Sequence, residues 1–333
     1  MTTTPRVSGI PTTILVAPDS FKGTLSSLEV ATAIGNGLQA GGWEVDLCPV
    51  ADGGEGTLAA LAPALELETG RAGACDPLGR RIESSFGIGG KVAVVETAAA
   101  SGIALIDEQE RDAIEANTYG TGELIAAAID AGARTVYLGA GGSATTDGGV
   151  GAIRAIRERG GLRGARLVVL CDVRTPFEDA GRVFARQKGA DDEQVELLTE
   201  RLHALSQALE RDPRGVAMTG AAGGLSGGLW AALGAELTAG APFVLDAVQF
   251  DRRMRAARAV VTGEGKLDLQ SLAGKLVSEI ATRARQSGVP CHALVGTREL
   301  DAFGARILDL QAVLEASTAA QIESAARHLA DLV

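Results

Sequence analysis

Thr135-Val-Tyr-Leu-Gly-Ala-Gly-Gly-Ser-Ala-Thr-Thr-Asp-Gly-Gly149 carries the signature of the architecture. A helical pattern from Gly122 to about Asp130 precedes it. A short apolar run at Thr135–Leu138 reads as a strand, eleven small or polar residues follow, and then comes a helix-like stretch. Other apolar runs repeat this form: Thr13-Ile-Leu-Val-Ala17, Val92-Ala-Val-Val-Glu96, Leu167-Val-Val-Leu170 and Ala259-Val-Val261. Each is continuously apolar instead of alternating, the habit of strands buried on both faces in parallel sheets flanked by helices. The expected class is therefore α/β. Helices are expected at about 26–38, at 191–211 with Leu197, Leu198, Leu202, Leu205 and Leu209 in register, and at 319–332.

The polar residues gather at the carboxyl ends of these runs: Asp19 and Ser20, Glu96 and Thr97, Gly139 to Asp147, Asp172, and Gly263 to Lys266. Ligands of open α/β sheets bind outside such ends, so these clusters are expected to line a cleft. The 333 residues exceed what a single core usually organises, so two domains are expected. Hydrophobic residues make up 46% and aromatics only 3%, so Ala, Val, Leu and Ile build the core.

The formal charge of −11 argues against nucleic acid or an anionic membrane as partner, because both need a basic footprint. An anionic substrate would need a local positive site made from placed Lys or Arg, helix N-termini or a bound cation. Cys48, Cys75, Cys171 and Cys291 lie far apart and read as reduced residues of a cytoplasmic protein. Met1 to Thr13 shows no apolar core of a signal peptide, and no apolar run approaches the ~18 residues of a spanning helix.

Four glycine-rich stretches remain. In Gly139–Gly149, small residues admit a ligand to the backbone, and Ser143, Thr145 and Thr146 add hydroxyls. Residues 139–144 fit G-x-G-x-x-A, but the acidic residue about 20 positions on that would make a dinucleotide site is missing. Gly220–Gly228 contains Gly224-Leu-Ser-Gly-Gly228, a formal nucleophile elbow without a strong strand before it. The three histidines, His203, His292 and His328, complete no triad, and His292 begins an apolar run that reads as a strand. Pro49-Val-Ala-Asp-Gly-Gly-Glu-Gly-Thr57 sets the carboxylates Asp52 and Glu55 in permissive backbone, suited to a hydrated cation or a hydroxyl proton. Thr262-Gly-Glu-Gly-Lys-Leu-Asp268, with Gln270-Ser271 and Gly274-Lys275, reads as a loop that meets phosphates. Walker, protein-kinase and zinc-protease signatures are absent. Carboxylates, lysines, hydroxyls and amides suffice for phosphoryl transfer, which needs mainly positioning and charge neutralisation.

In this order the stretches resemble the type I glycerate kinase family, together with Ala17-Pro-Asp-Ser-Phe-Lys22, Glu96-Thr-Ala-Ala-Ala-Ser-Gly102, Gly120-Thr-Gly-Glu-Leu124, Cys171-Asp-Val173 and Gln187-Lys-Gly-Ala190. The resemblance runs from about residue 14 to 297. It implies ATP, Mg2+, D-glycerate and 2-phosphoglycerate. It also implies a Rossmann-like domain from both chain ends (1–75 plus 251–333), an inserted α/β domain (76–250), and an active site in the cleft between them. The oligomeric state, monomer or homodimer, stays open. Segments shorter than the family's, before Leu167 and after Gly296, keep an inactive glycerate- or nucleotide-binding relative in view as an alternative, and the G-x-G-x-x-A match keeps an NAD(P)-dependent dehydrogenase.

With the resemblance, candidate residues follow. Asp19 or Asp52 would take the proton of the attacking hydroxyl, with Lys22 beside it. Ser20, Gly53, Glu55, Glu96, Gly141, Gly142, Ser143, Thr146, Gly223 and Gly224 would surround the substrate. Lys188, Glu264, Lys266 and Lys275 would meet the nucleotide, and Asp147, Asp172 and Asp268 would hold Mg2+.

Overall fold

The computed structural model describes residues 12–333 apart from 172, 270 and 274, so the expectations placed on Asp172, Gln270, Gly274 and most of the N-terminal stretch lie outside the described residues. The strands are β1 (Thr13–Pro18), β2 (Glu44–Leu47), β3 (Glu68–Cys75), β4 (Arg81–Gly89), β5 (Val92–Glu96), β6 (Thr135–Gly139), β7 (Arg166–Cys171), β8 (Glu236–Ala239), β9 (Ala259–Leu267), β10 (Cys291–Arg298) and β11 (Leu310–Glu315). The chain divides into two compact units, one from residues 12–51 and 245–333, the other from Asp52–Val244.

The first unit is a five-stranded sheet in the order β11-β10-β9-β1-β2, parallel throughout. From β1 the chain winds one way to β2, and from β9 it winds the other way through β10 to β11. The winding reverses between β1 and β9, the place where open parallel sheets bind ligands. Ile14, Val16, Ala259, Val261 and Leu294 are fully buried in the core of this sheet. The helix Ser27–Ala40 starts at a capping box: Glu29 N–H donates to Ser26 Oγ (3.3 Å), and Ser26 N–H donates to the Glu29 carboxylate (2.8 Å). It packs on the helix Ala319–Leu329 through Gly37, where a methyl group would stand 2.2 Å from the Glu323 carbonyl oxygen.

The second unit is a six-stranded mixed sheet in sequential order, β3-β4-β5-β6-β7-β8, with β3 to β5 antiparallel and β5 to β8 parallel. Its strand order never reverses. Two expectations shift. The boundary falls at 51/52 and 244/245 instead of 75/76 and 250/251, because β3 pairs along its whole length with β4. Residues 262–267, read as a loop, continue β9 and pair with β10 as far as Lys266 and Leu267. Among the described residues, no helix is long and apolar enough to cross a membrane.

Gly37 is the sharpest packing constraint in the first unit. Gly37→Ala would gain about 1 kcal/mol of helix propensity, but overpacking against a backbone carbonyl costs typically 1–3 kcal/mol or more. The clash should win, and denaturant unfolding should show net destabilisation. Unchanged or higher stability would mean that the two helices separate at no cost.

Candidate active site

In the first unit the candidates meet at the β1/β9 reversal. Asp19 N–H donates to the Gly263 carbonyl (2.8 Å), which places Asp19 just past β1 and beside β9. The Asp19 side chain is buried, and its Oδ1 accepts from Ser20 N–H at 2.7 Å. Glu264 is half-buried on β9 and accepts from Ser271 Oγ at 2.6 Å. Burial pushes the Glu264 carboxyl up to about 7, against the opposing Ser271 hydrogen bond and the charges of Lys275 and Lys22, while Asp268 adds to the rise. Lys22, Glu264, Asp268, Ser271 and Lys275 thus share one electrostatic neighbourhood. Lys275 stands at the cap of the helix Leu276–Ser287. Lys266 stands at the edge of this setting: it is exposed, pairs with Glu299 at 2.9 Å and reaches Asp268 at 4.0 Å.

In the second unit, glycine backbones stack. A methyl group on Gly141 would lie 2.5 Å from Gly54 Cα, and one on Gly139 would lie 3.1 Å from the Gly53 carbonyl oxygen. Gly53 itself has φ +99°. These contacts seat Asp52, Gly53, Gly54 and Glu55 on the loop after β6. Asp52 is 3% exposed, and its Oδ1 accepts from Gly54 N–H at 2.9 Å. Gly142 faces Glu55 Oε2. Glu96, expected on the substrate, instead accepts from Leu58 N–H at 2.9 Å, at the start of the helix Thr57–Leu61. Burial raises its pKa, opposed by that amide and its neighbours. Gly223 and Gly224 also change role. A methyl group on Gly223 would sit 2.0 Å from the Thr145 carbonyl oxygen, and Gly148 N–H donates to the Gly223 carbonyl (3.1 Å). These glycines bring one loop against the other. Ser226, the serine of the formal elbow, is buried and donates to the Met218 carbonyl at 2.6 Å.

Asp147 is the largest revision. Its Oδ2 accepts from Thr118 N–H (3.0 Å), Thr118 Oγ1 (2.8 Å) and Gly151 N–H (3.0 Å), and its Oδ1 accepts from Gly149 N–H (3.0 Å). Two of these donors lie at the start of the helix Val150–Glu158 and two at Thr118, the N-cap of the helix Tyr119–Asp130, so the carboxylate ties two helix starts together and keeps little capacity for a cation. Among the described residues, no group of three or more His, Cys, Asp and Glu side chains is placed to hold a metal ion. Mg2+ needs only one or two carboxylates beside substrate phosphates, and the Asp147 carboxylate is already occupied by four donors.

Beside Asp147 lies Lys188, 4% exposed. Its Nζ donates to the Thr145 carbonyl (2.5 Å) and to Ser143 Oγ (3.1 Å), so a cation is fixed against the glycine loop. Burial lowers its pKa to about 7, with the Asp147 charge opposing. The hydroxyls of Thr145 and Thr146 are buried in the same loop without a hydrogen-bond partner, as are those of Thr57 and Thr97. Buried polar groups are rarely left so, which makes these hydroxyls candidates to meet a ligand or a water. Ser143, Thr146 and Lys188, all candidates from the sequence, come together here, while Thr57 and Thr97 look in the sequence like ordinary helix-start and strand-end residues.

The model of the glycerate kinase family matches residues 14–159 and 156–333. The glycerate kinase of Haemophilus influenzae is 38% identical over 321 residues, covering 85% of each chain. The glycerate 2-kinase of Escherichia coli K12 is 35% identical over 323 residues, again with 85% of each covered. A crystal structure assigned to glycerate kinase 2 of Salmonella typhimurium LT2 superposes with a TM-score of 0.78 at 32% identity, covering 97% of this chain and 98% of that one.

Two outcomes are expected. Asp147→Asn keeps the size but loses the charge that four donors address, and hydrogen bonds to charged groups are each worth roughly 1.5–3 kcal/mol. Stability should fall by at least about 2 kcal/mol, with the Mg2+ dependence of any turnover unchanged; a shifted Mg2+ requirement at native stability would restore Asp147 as a metal ligand. For Lys188, the unfolded chain keeps its proton up to the ordinary lysine value near 10.4, whereas the folded chain loses it at about 7. Its contribution to stability therefore rises with pH across that window, by up to about 1.4 kcal/mol per unit. Lys188→Met should flatten urea-unfolding stability between pH 7 and 10 relative to the parent, and an equal slope in both would show that Lys188 stays charged.

Proposed function

Since this chain belongs to the glycerate kinase family, we propose that it catalyses ATP-dependent phosphorylation of D-glycerate, with 2-phosphoglycerate as product. The observation that carries this reading is the buried Lys188 fixed against a glycine loop whose Thr145 and Thr146 hydroxyls lack partners. That loop can receive an anion by charge and by hydroxyl donation, in a protein whose overall charge is −11.

The residues of each unit take distinct parts. Asp19 at the β1/β9 reversal and Asp52 on the glycine-packed loop are the candidates to accept the proton of the attacking hydroxyl. Both are buried carboxylates positioned by backbone N–H groups. Ser20, Lys22, Glu264, Asp268 and Lys275 make up the polar end of the first unit, suited to a nucleotide's phosphates. Gly53, Glu55, Gly141, Gly142, Ser143 and Thr146, with Lys188, make up that of the second. Mg2+, bound with the nucleotide, would neutralise charge on the transferring phosphoryl group, and Asp268 is the described carboxylate we assign to it. Cys48, Cys75 and Cys291 are free thiols, and burial pushes Cys48 up to about 11 and Cys291 up to about 12, which suits the reducing cytoplasm, where we place the enzyme.

The deciding experiment incubates the protein with ATP, Mg2+ and D-glycerate and follows the product by 31P NMR. A phosphomonoester matching 2-phosphoglycerate is expected. Nucleotide binding without turnover would make the chain a binding relative. Asp19→Asn and Asp52→Asn separate the two proton acceptors: the true one should lower kcat by roughly 10²- to 10⁴-fold, and unchanged kcat in both would remove the carboxylate base from the mechanism.

A further inference from the structure

Arg111 lies against the Lys188 loop with part of its guanidinium unsatisfied. Its Nε is buried and has no hydrogen-bond partner. The two carboxylates flanking it in sequence are engaged elsewhere. Glu110 pairs with Arg80 (2.8 Å), and Asp112 Oδ1 accepts from the N–H groups of Ile114 (3.0 Å) and Glu115 (3.1 Å) within its own turn. Neither neutralises Arg111.

The position is fixed from both sides. Ile106 and Ala116 pack with Ala144 of the glycine loop, and Ala113 packs with Ala185 and Ala190, which bracket Lys188. The Arg111 stem lies along Gly189: a methyl group there would stand 3.2 Å from Arg111 Cβ and 3.9 Å from Cδ. Gly189, at φ +99°, follows Lys188 directly. Burying a guanidinium N–H without an acceptor is costly, because the donor gives up water for nothing. Nε and one terminal nitrogen form the side-on edge of the guanidinium, which matches two oxygens of a carboxylate or phosphoryl group. The open hydroxyls of Thr145 and Thr146 belong to the adjoining loop.

We propose that Arg111 binds the anionic end of a substrate, a carboxylate or phosphoryl oxygen pair, beside the 143–146 loop; this rests on the kinase reading for its substrates but not for its binding chemistry. Glycerate's carboxylate and the nucleotide's phosphates are the two sources of such an anion, and the test separates them.

Arg111→Gln keeps the stem packed on Gly189 and removes the charge, and Arg111→Lys keeps the charge and removes the fork. KM for D-glycerate and for ATP would be measured for each variant and the parent, beside thermal unfolding of the unliganded proteins. A rise of roughly 10- to 100-fold in one KM, with unliganded stability retained and Arg111→Lys only partly rescued, is the expected result. A rise for glycerate assigns the carboxylate, and a rise for ATP assigns the phosphates. Unchanged values for both substrates, with or without a change in stability, would overturn the proposal. Should the parent not phosphorylate glycerate, binding still decides it: stabilisation of the parent by inorganic phosphate or by D-glycerate should be lost in Arg111→Gln, and equal stabilisation of both, or of neither, would overturn it.

Discussion

Peptide planes in the inserted unit meet at distances that leave no room for a methyl group. Such a group would lie 2.0 Å from a carbonyl oxygen at Gly223 and at Gly228, 2.1 Å at Gly240, and 2.5 Å from Gly54 Cα at Gly141. Everything polar in this unit is placed by these approaches. The Asp52 loop rests on the loop after β6, and that loop rests in turn on residues 220–228. Lys188 reaches Ser143 and Thr145 on the middle loop of this stack. The abundance of glycine in the sequence is therefore first a packing requirement and only at a few positions an opening for a ligand.

This distinction explains which part of the site was legible. A glycine needed so that backbone can touch backbone and a glycine needed so that backbone can touch phosphate are the same letter. Gly223 and Gly224 accordingly read as ligand-binding and prove to be contacts between loops. Asp147 and Glu96 carry a related ambiguity: a carboxylate beside a glycine loop suits a cation or a helix N-terminus equally, and in the fold Thr118, Gly149 and Gly151 address Asp147 while Leu58 addresses Glu96. Lys188 and Ser143 were legible because a lysine and a serine have fewer structural uses next to such loops. Arg111 was hidden by its neighbours, since an Arg between Glu110 and Asp112 looks neutralised until Arg80 and the Asp112 turn are seen to claim both acids.

The fold was readable where burial is symmetric. β1, β5, β6, β7 and the start of β9 are covered on both faces and are continuously apolar. β3 and β4 escaped detection because they are largely half-exposed and carry glycines and charges. Gly70 of β3 pairs with Phe86 of β4, and the ring covers the bare glycine (a methyl group there would meet it at 2.7 Å), so one residue supplies what alternation would otherwise have shown. The same oversight moved the domain boundary, because a segment without visible strands gave no reason to end the first unit at Ala51.

The two sheets also give their polar residues different physical footing. In the first unit, Asp19 and Glu264 stand where the winding reverses between β1 and β9, and the neighbouring helices leave the strand ends open there by topology. The second sheet has no reversal, so its site must be made by loops: glycines for approach, Asp147 for the cap, and Lys188 for charge. That construction carries a cost, because it buries a lysine whose charged form is weakened until an anion arrives. In a chain of charge −11 this is how selectivity for an anion can coexist with a surface that repels anions. The attraction is short-ranged, arises from groups already desolvated and held in place, and rewards only a ligand able to satisfy the hydroxyls and cations together.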